Sequence, residues 1–140
     1  MSEPRGRDDA NNCFACGPDN AIGLQIQFRL DSEGVCHGEF TPGDNHEGFH
    51  GVTHGGIMFA ALDDVMANWL FLQGMRGYTA RCEIRYKRPT PTHSRVLLEG
   101  RCEKRKSRIV QLSGIAKCAE TGHVLAETDA MFMIQPEPIS

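Results

Sequence analysis

The segment His54-Gly55-Gly56, with Asp63 nine residues after the histidine, has the residue types and spacing best suited to chemistry in this sequence. Two adjacent glycines let the chain turn sharply and let a ligand approach the backbone. If a helix begins at these glycines, its first N–H groups lack internal acceptors and can stabilise a developing oxyanion. Asp63 would lie about two and a half turns into that helix. Its carboxylate is a candidate general base acting on water, or a nucleophile acting on an acyl carbon.

The same residues also have simpler interpretations. Glycines often mark helix starts without any ligand, and an aspartate in a helix usually faces solvent or pairs with a cation. Asp64 is a natural comparison for Asp63, because consecutive helical residues point about 100° apart and need not share an environment. Asp64 and Asn68 are four residues apart, so the sequence predicts that they share a solvated or interfacial stripe.

A CxxC pair, Cys13 and Cys16, is the second feature whose residue types could take part in chemistry or bind a metal. A zinc site needs about four ligands, and His46 or His50 could complete one, although nothing in the spacing requires it. We therefore predict a buried or turn-forming pair, and no metal ligand or cofactor is assigned. Four of the six cysteines fall inside strand-like runs, which is unlike a disulfide scaffold. Reduced thiols in a cytoplasmic protein are the expectation.

Hydrophobic patterning predicts one long helix and six strands, an α+β fold. Residues 24–30 alternate apolar and polar side chains, as a half-buried strand does. Residues 55–73 are apolar on nearly every side and end near Gly74, so they predict a buried helix of about five turns. The other strands are predicted at 35–41, 79–88, 95–103, 108–118 and 123–134, with a basic turn at 104–107. One sheet covers only part of such a helix, so a curved sheet and a second subunit are expected to enclose it.

Length and charge limit the expected classes of function. With 140 residues, the chain is predicted to form one domain over 1–140, in which the polar residues 1–12 are flexible. The net charge of -3 argues against bulk binding to nucleic acid or to an anionic membrane surface. The sequence has no run of about 18 apolar residues, so no membrane span is expected.

Three stretches together resemble the PaaI-type acyl-CoA thioesterases of the hotdog fold, in the 4-hydroxybenzoyl-CoA thioesterase superfamily. They are HGGIMFAALDD at the helix, CFACGPDNAIGLQIQF before it and RYKRP after it. The similarity spans roughly residues 12–134, and the combination of element order, HGG and the later aspartate is more specific than any one motif. It implies an antiparallel sheet wrapped around one long central helix, and hydrolysis of a thioester between an acyl group and coenzyme A.

The resemblance also implies roles for individual residues. Asp63 corresponds to the acidic residue of the family motif, as general base or nucleophile. The backbone N–H of Gly55 corresponds to the group that polarises the thioester carbonyl, and His54 to the motif histidine, whose usual role is placement. Family members form homodimers by joining two sheets, and the dimers often pair into tetramers. The aspartate and the glycine amide of one site then come from different subunits.

The loop before the helix departs from the family pattern. Several members carry Asn or Gln six residues before the motif histidine, where it places water or substrate, and this chain has Gly48 there. Asn45, His46 and Glu47 are nearby and would need a shift of the loop to take that role, and Glu47 is also a candidate second acid or base.

Three further residues are predicted to contact the substrate. Gly56 allows close approach to the backbone, and Met58 is an adaptable side chain for the acyl pocket. Arg88 is a candidate for binding the phosphates of coenzyme A, because a guanidinium matches phosphate geometry. Residues 104–106 form a second basic patch, for which a solvated hairpin tip is the simpler interpretation.

Other functions stay open at the level of sequence. One alternative is a hotdog module that binds acyl-CoA without cleaving it, although sensing does not need Asp63. A hotdog dehydratase would pair an aspartate with a histidine on the opened helix, and no histidine lies between His54 and His93. A structural protein with a zinc clip at Cys13 and Cys16 is a third alternative. The sequence does not predict which acyl group is bound.

Overall fold

The computed structural model describes residues 10–136, and within that range the chain forms one antiparallel six-stranded sheet and one long α-helix. The helix, α1, is Gly55–Phe71. The strands are β1 Arg29–Leu30, β2 Cys36–Phe40, β3 Gly77–Tyr86, β4 Val96–Lys106, β5 Ile109–Cys118 and β6 Val124–Ile134. The predicted α+β class is therefore confirmed.

The predicted flexible terminus falls mainly on residues 1–9, which lie outside the described residues. The next residues are held by backbone hydrogen bonds. The N–H of Cys13 donates to the carbonyl of Ala10 at 3.1 Å, and the N–H of Asp19 donates to the carbonyl of Asn11 at 3.0 Å. Residues 10 and 11 therefore take part in a hydrogen-bonded loop.

The strand order in the sheet is β1-β2-β4-β5-β6-β3. Strands β4, β5 and β6 follow one another through short turns and pair as neighbours, whereas β3 pairs with β6 at the end of the sheet. Within the described chain, β3 has a partner on one side only, so its other edge presents unpaired backbone groups. This edge runs beside the helix that carries the predicted site.

The helix packs across strands β2 to β6. Leu62, Met66 and Leu70 are fully buried there, and burying a side chain of this size stabilises the fold by about 1.5–3 kcal/mol. The helix backbone comes very close to the sheet at Gly100. A Cβ at that position would lie 2.8 Å from the carbonyl oxygen of Val65, so a larger residue would push the helix away from the sheet.

The helix ends two residues earlier than predicted. Leu72 is the C-cap, and its N–H donates to the carbonyl of Asn68 at 3.0 Å. Gly74 follows with a φ of 83°, the left-handed conformation that glycine adopts readily at helix ends. No helix in the range 10–136 combines the length and the apolar content needed to cross a bilayer.

The predicted strand at 24–30 is wrong for most of its length. Only Arg29–Leu30 pairs as a strand, with β2. Gln25 has a φ of 52°, which interrupts the extended run, and the N–H of Ile26 donates to the carbonyl of Ala15 at 2.9 Å. The apolar alternation still identifies buried positions, because Ile26 is 2% exposed.

The predicted basic turn at 104–107 is also wrong. The basic residues up to Lys106 continue β4, and Lys106 pairs with Ile109 of β5. The turn itself is at residues 107–108, where Ser107 has a φ of 57°. The side chains at this end of β4 are all exposed, so no apolar alternation marks the strand there.

Trp69, the only tryptophan in the sequence, fastens the first hairpin to the helix. Its Nε1–H donates to the carbonyl of Gly34 at 2.8 Å. Gly34 lies in the turn between β1 and β2 and has a φ of 80°. One side chain thus joins the C-terminal half of α1 to the opposite edge of the sheet from β3.

Candidate active site

In the described part of the chain, the start of α1 leaves one backbone donor without an acceptor. His54 is the N-cap, and its Nδ1 accepts a hydrogen bond from the N–H of Gly56 at 2.8 Å. The carbonyl of His54 accepts from the N–H of Ile57 at 3.0 Å. Within residues 10–136, the N–H of Gly55 finds no acceptor, as is usual for a first-turn amide. His54 therefore organises the helix start around a donor that an external oxygen can use.

Tyr86, at the end of β3, fixes the position of this helix start. Its hydroxyl donates to the carbonyl of Gly55 at 2.8 Å, and burial raises the pKa of Tyr86, so the hydroxyl stays protonated. A Cβ at Gly55 would lie 3.2 Å from the Tyr86 oxygen. The sequence alone does not identify Tyr86 as a site residue, because nothing in its strand pattern points to a partner 31 residues earlier.

A cavity of about 620 Å³ opens beside the helix start. It brings together four predicted site residues: His54, Gly55, Met58 and Arg88. Its other lining residues are Gly48, Phe49, Val52, Thr53, Tyr86, Lys87, Pro89 and Thr90. Apolar side chains therefore share the cavity with two cations and with the helix N-terminus, a combination that suits an anionic group with an apolar tail.

Three predicted substrate contacts lie outside the cavity lining. Asn45 is exposed in a 3₁₀ turn, Asp44–His46. The carboxylate of Glu47 accepts a hydrogen bond from the N–H of Gly51, so it shapes the loop rather than the cavity wall. Gly56 is exposed, and its N–H is already bonded to the N-cap side chain.

Thr53 is a polar lining residue that the sequence analysis did not identify. It is 5% exposed. Among the buried side-chain nitrogen and oxygen atoms of residues 10–136, Thr53 Oγ1 is the one without a hydrogen-bond partner. Leaving a buried hydroxyl unpaired costs about 1–3 kcal/mol. Gly48, where the family pattern has an amide side chain, also lines the cavity but contributes only backbone.

Asp63 is half-buried on the side of α1 that faces β3. The hydroxyl of Thr79 donates to its Oδ1 at 2.6 Å. Burial raises the pKa of Asp63, and the Thr79 hydrogen bond opposes part of that rise. The thiol of Cys82 is close enough to be affected by the charge of Asp63. Burial first, and then the charges of Asp63 and Asp129, raise the pKa of Cys82 to about 11.

Asp63 and the free amide of Gly55 are far apart within one chain. Eight residues of α-helix separate them, which is about 12 Å along the helix axis. Asp63 is also absent from the lining of the cavity. One thioester carbonyl cannot contact both groups of the same chain at that distance.

Asp64 belongs to a different environment. Its Oδ2 accepts a hydrogen bond from Asn68 Nδ2 at 3.1 Å, and its Oδ1 accepts from Cys13 Sγ at 3.8 Å. Asn68 is 3% exposed, so the two residues do not form a solvated stripe, and Asp64 contacts Cys13 of the CxxC loop. Cys13, Cys16 and Asp64 form a group with metal-ligating atoms within 4.8 Å of one another, whereas His46 and His50, which could have completed a zinc site, are not part of it.

Comparison with known proteins identifies relatives of this chain. A family model described as the thioesterase superfamily matches residues 50–126, more than half of the sequence. The human acyl-coenzyme A thioesterase THEM5 is 30% identical over 94 residues, which are 67% of this chain and 38% of THEM5. The chain thus spans less than half the length of the curated relatives that it matches.

Solved structures share the architecture. Protein RHA08564, a thioesterase superfamily protein, is 28% identical with a TM-score of 0.79, over 85% of this chain and 61% of that chain. The E. coli PaaI protein, from the phenylacetic acid degradation operon, is 17% identical with a TM-score of 0.76, over 84% of this chain and 84% of that chain. At its level of identity, PaaI shows similarity of fold alone. The predicted hotdog fold and the resemblance to the thioesterase superfamily are confirmed.

Proposed function

Because the chain belongs to the thioesterase superfamily, we propose that it hydrolyses an acyl-CoA thioester to a free acid and coenzyme A. The observation that carries this proposal is the N–H of Gly55, which has no acceptor within residues 10–136 and belongs to a residue lining the cavity. A backbone donor at a helix N-terminus suits the oxyanion that forms when a thioester carbonyl is attacked. The relative named acyl-coenzyme A thioesterase supports the choice of substrate class.

In the proposed reaction, the Gly55 N–H donates to the thioester carbonyl oxygen, and Asp63 takes a proton from an attacking water molecule. The new C–O bond gives a tetrahedral oxyanion, and its collapse breaks the C–S bond. The thiolate of coenzyme A leaves and is protonated. In the alternative route, the carboxylate of Asp63 attacks the acyl carbon directly, and water then cleaves the mixed anhydride. The raised pKa of Asp63 supports the general-base role, because a more basic carboxylate accepts a proton more readily.

The phosphates of coenzyme A are proposed to contact Arg88 and Lys87. Both residues line the cavity with Gly55, and both side chains are exposed. Lys87 Nζ lies 3.6 Å from Glu127 Oε1, so Arg88 is the stronger candidate for bidentate contact with phosphate. The second basic patch, residues 104–106, does not line this cavity.

We further propose that the active unit is a homodimer in which Gly55 and Asp63 of one site come from different subunits. The separation of about 12 Å between them along one helix supports this arrangement. The edge of β3, which has no partner within residues 10–136, supports it as well, because Thr79, the partner of Asp63, lies on that strand. Joining two such edges would bring each Asp63 towards the helix start of the other copy. Further pairing into a dimer of dimers is also proposed, on the resemblance alone.

Hydrolysis of a panel of acyl-CoA thioesters, with release of the coenzyme A thiol as the signal, tests the proposed activity. The panel contains phenylacetyl, hydroxybenzoyl, short aliphatic and medium aliphatic groups. We expect turnover of at least one class, and loss of turnover in folded Asp63→Asn, which keeps the shape but cannot act as a base. A folded wild type that binds acyl-CoA by calorimetry and cleaves none would favour the non-catalytic binding module instead.

A mixing experiment tests the shared site. Gly55→Pro removes the amide donor, and proline is well accepted at the first helical position after an extended residue such as His54, with φ -57° and ψ 133°. Gly55→Ala is the matched control, since it keeps the donor and makes a similar Cβ contact.

Mixing inactive Gly55→Pro with inactive Asp63→Asn should restore activity, because a hybrid dimer contains one intact site. Random exchange leaves about a quarter of the sites intact. Failure of exchanged subunits to recover any activity would contradict a site shared between chains, while leaving hydrolysis itself untouched.

A cytoplasmic location is also proposed. The six cysteines all lie within residues 10–136 and form no disulfide there, which suits a reducing compartment. Fractionation of the source cells with an antibody against the protein tests this, and recovery from an oxidising compartment would contradict it.

A further inference from the structure

The CxxC loop and the helix meet at a side-chain cluster that the proposed hydrolysis does not use. The Sγ atoms of Cys13 and Cys16 and a carboxylate oxygen of Asp64 lie within 4.8 Å of one another, and all three residues are half-buried. From this juxtaposition, we propose that the cluster binds one Zn²⁺ ion through two thiolates and one carboxylate oxygen.

The distances in the cluster suit a tetrahedral ion. Bond lengths of about 2.3 Å to sulfur and about 2.0–2.2 Å to oxygen place two such ligands about 3.5 Å apart. Cys13 Sγ lies 3.8 Å from Asp64 Oδ1, so a small side-chain movement brings both to coordination distance. Three protein ligands leave the fourth position for a water molecule.

The two cysteines lie on a well-defined turn. The N–H of Gly17 donates to the carbonyl of Cys13 at 2.8 Å, and a Cβ at Gly17 would lie only 2.4 Å from the Cys13 nitrogen. Between the cysteines, Ala15 is 5% exposed, and its carbonyl accepts from the N–H of Ile26 at 2.9 Å. The turn therefore needs glycine after the second cysteine. It is held by its own hydrogen bond from Gly17 to Cys13 and by the hydrogen bond from Ile26 to Ala15.

The third ligand is oriented by a buried neighbour. Asn68, which is 3% exposed, donates from Nδ2 to Asp64 Oδ2 at 3.1 Å. The other oxygen, Oδ1, is the one that faces Cys13. Ligating carboxylates are typically held by such a hydrogen bond on the second oxygen, so Asn68 acts as a positioning residue for the metal.

The chemistry of the ligands selects the metal. Two thiolates favour zinc over magnesium or calcium, which prefer oxygen ligands alone. Each thiol gives up one proton to solvent when its sulfur binds the ion as a thiolate, the carboxylate binds in its ionised form, and no oxidation state changes. Two thiolates and a carboxylate beside one another would repel, and the ion supplies the positive charge that offsets this repulsion.

Zinc binding would link the N-terminal loop, through Cys13 and Cys16, to α1, through Asp64; we call this link the clip. The clip closes at Asp64, one residue after Asp63, so it holds the helix segment that carries the proposed catalytic carboxylate. Any ligand that binds only the folded state stabilises it by mass action. Zinc is therefore expected to raise the melting temperature, and this effect is independent of thioester hydrolysis.

The test is zinc titration of the full chain after chelator treatment, with a phosphine reductant and a competing chromophoric chelator. We expect one zinc per chain, a higher melting temperature with zinc, and thiolate-to-cobalt charge-transfer absorption when Co²⁺ replaces zinc. Cys13→Ser, Cys16→Ser and Asp64→Asn should lose stoichiometric binding, and Asn68→Ala should weaken it about 10–100-fold. Cys102→Ser, at a half-buried cysteine on β4, is the matched control and should bind like the wild type.

Three results would overturn the proposal. The first is a reduced wild type that takes up no zinc, which needs no variant to fold. The second is an Asp64→Asn variant that binds zinc as tightly as Cys102→Ser, because the carboxylate would then not be a ligand. The third is a Cys13–Cys16 disulfide in the native protein together with no metal uptake after reduction, which would identify the pair as a redox element instead.

Discussion

The adjacent carboxylates Asp63 and Asp64 lie on two sides of α1 and have different environments. On the side of β3, Asp63 has one neutral partner, the Thr79 hydroxyl, and burial raises its pKa. On the side of the CxxC loop, Asp64 faces Asn68 and Cys13 in a group of potential metal ligands. The rotation of about 100° between consecutive residues is enough to separate the two environments. The role of each carboxylate therefore depends on the element that packs against it, rather than on its own identity.

The two sides also differ in how completely the chain encloses them. The β3 side ends at a strand edge that has no partner within residues 10–136. The CxxC side is closed by a loop whose backbone is hydrogen-bonded to its own turn and to the segment before β1. At the strand edge of β3, a second copy of the chain can pair and contribute residues to a site. At the CxxC loop, the chain can form contacts with itself. The following variants separate these two roles.

The largest expected difference is in catalysis. Asp63→Asn should lower kcat/KM about 10²–10⁴-fold, because it removes a general base while keeping the side-chain shape. Asp64→Asn should retain most of the activity, since Asp64 faces away from β3. Steady-state kinetics with the best acyl-CoA, with circular dichroism to verify folding, measures both. Equal losses in the two variants would show that the sides are not functionally distinct.

A smaller but still large effect is expected at the helix start. Gly55→Pro should reduce kcat about 10²–10³-fold, the usual effect of losing one oxyanion donor, with little change in KM. Gly55→Ala keeps the N–H and should lose much less, apart from the cost of its 3.2 Å contact with the Tyr86 oxygen. If both variants lose the same activity, packing against Tyr86 rather than the amide is responsible.

The pH dependence of the reaction should shift when Thr79 is changed. The Thr79 hydrogen bond lowers the pKa of Asp63 against the larger effect of burial, so Thr79→Val should raise that pKa further. A base works in its ionised form, so kcat/KM should fall on the acid side of the profile, and that limb should move to higher pH in Thr79→Val. Thr79→Ser keeps the hydroxyl and should leave the limb in place. A limb that moves to lower pH would contradict the assignment.

The smallest expected effect concerns the thiol of Cys82. Burial, and then the charges of Asp63 and Asp129, raise its pKa to about 11, so it should alkylate slowly at pH 8. Asp63→Asn removes one of those charges and should make the reaction severalfold faster at most. Asp64→Asn should have no effect on it. Peptide mapping by mass spectrometry follows the rate, and acceleration by Asp64→Asn would contradict the separation of the two sides.

The fold was largely predictable, because most elements have a strong periodic pattern. The helix was placed within two residues of its observed end, since a long apolar run without proline has few alternatives. The strand at 24–30 was not predictable, because a single left-handed residue, Gln25, redirects an otherwise ideal alternation. The continuation of β4 through Lys106 was missed because exposed basic residues in a strand look like a solvated turn.

The candidate site was predictable only where one segment carries it. His54 and Gly55 were identified because a helix start has a local signature. Tyr86, Thr53 and Thr79 were not, since their relevance depends on contacts made by distant elements and on burial. The partnership of Asp64 with Cys13 was missed for the same reason, as 51 residues separate them.

Trp69 gives the molecule a built-in optical reporter. It is the only tryptophan in the sequence, and its indole N–H is bonded to Gly34 in the turn of the first hairpin. Its fluorescence therefore follows detachment of that hairpin from α1 without interference from other indoles. Trp69 lies 14 residues after Gly55, about 21 Å along the helix. A change in emission when acyl-CoA is added would therefore report a change in the surroundings of the C-terminal half of α1.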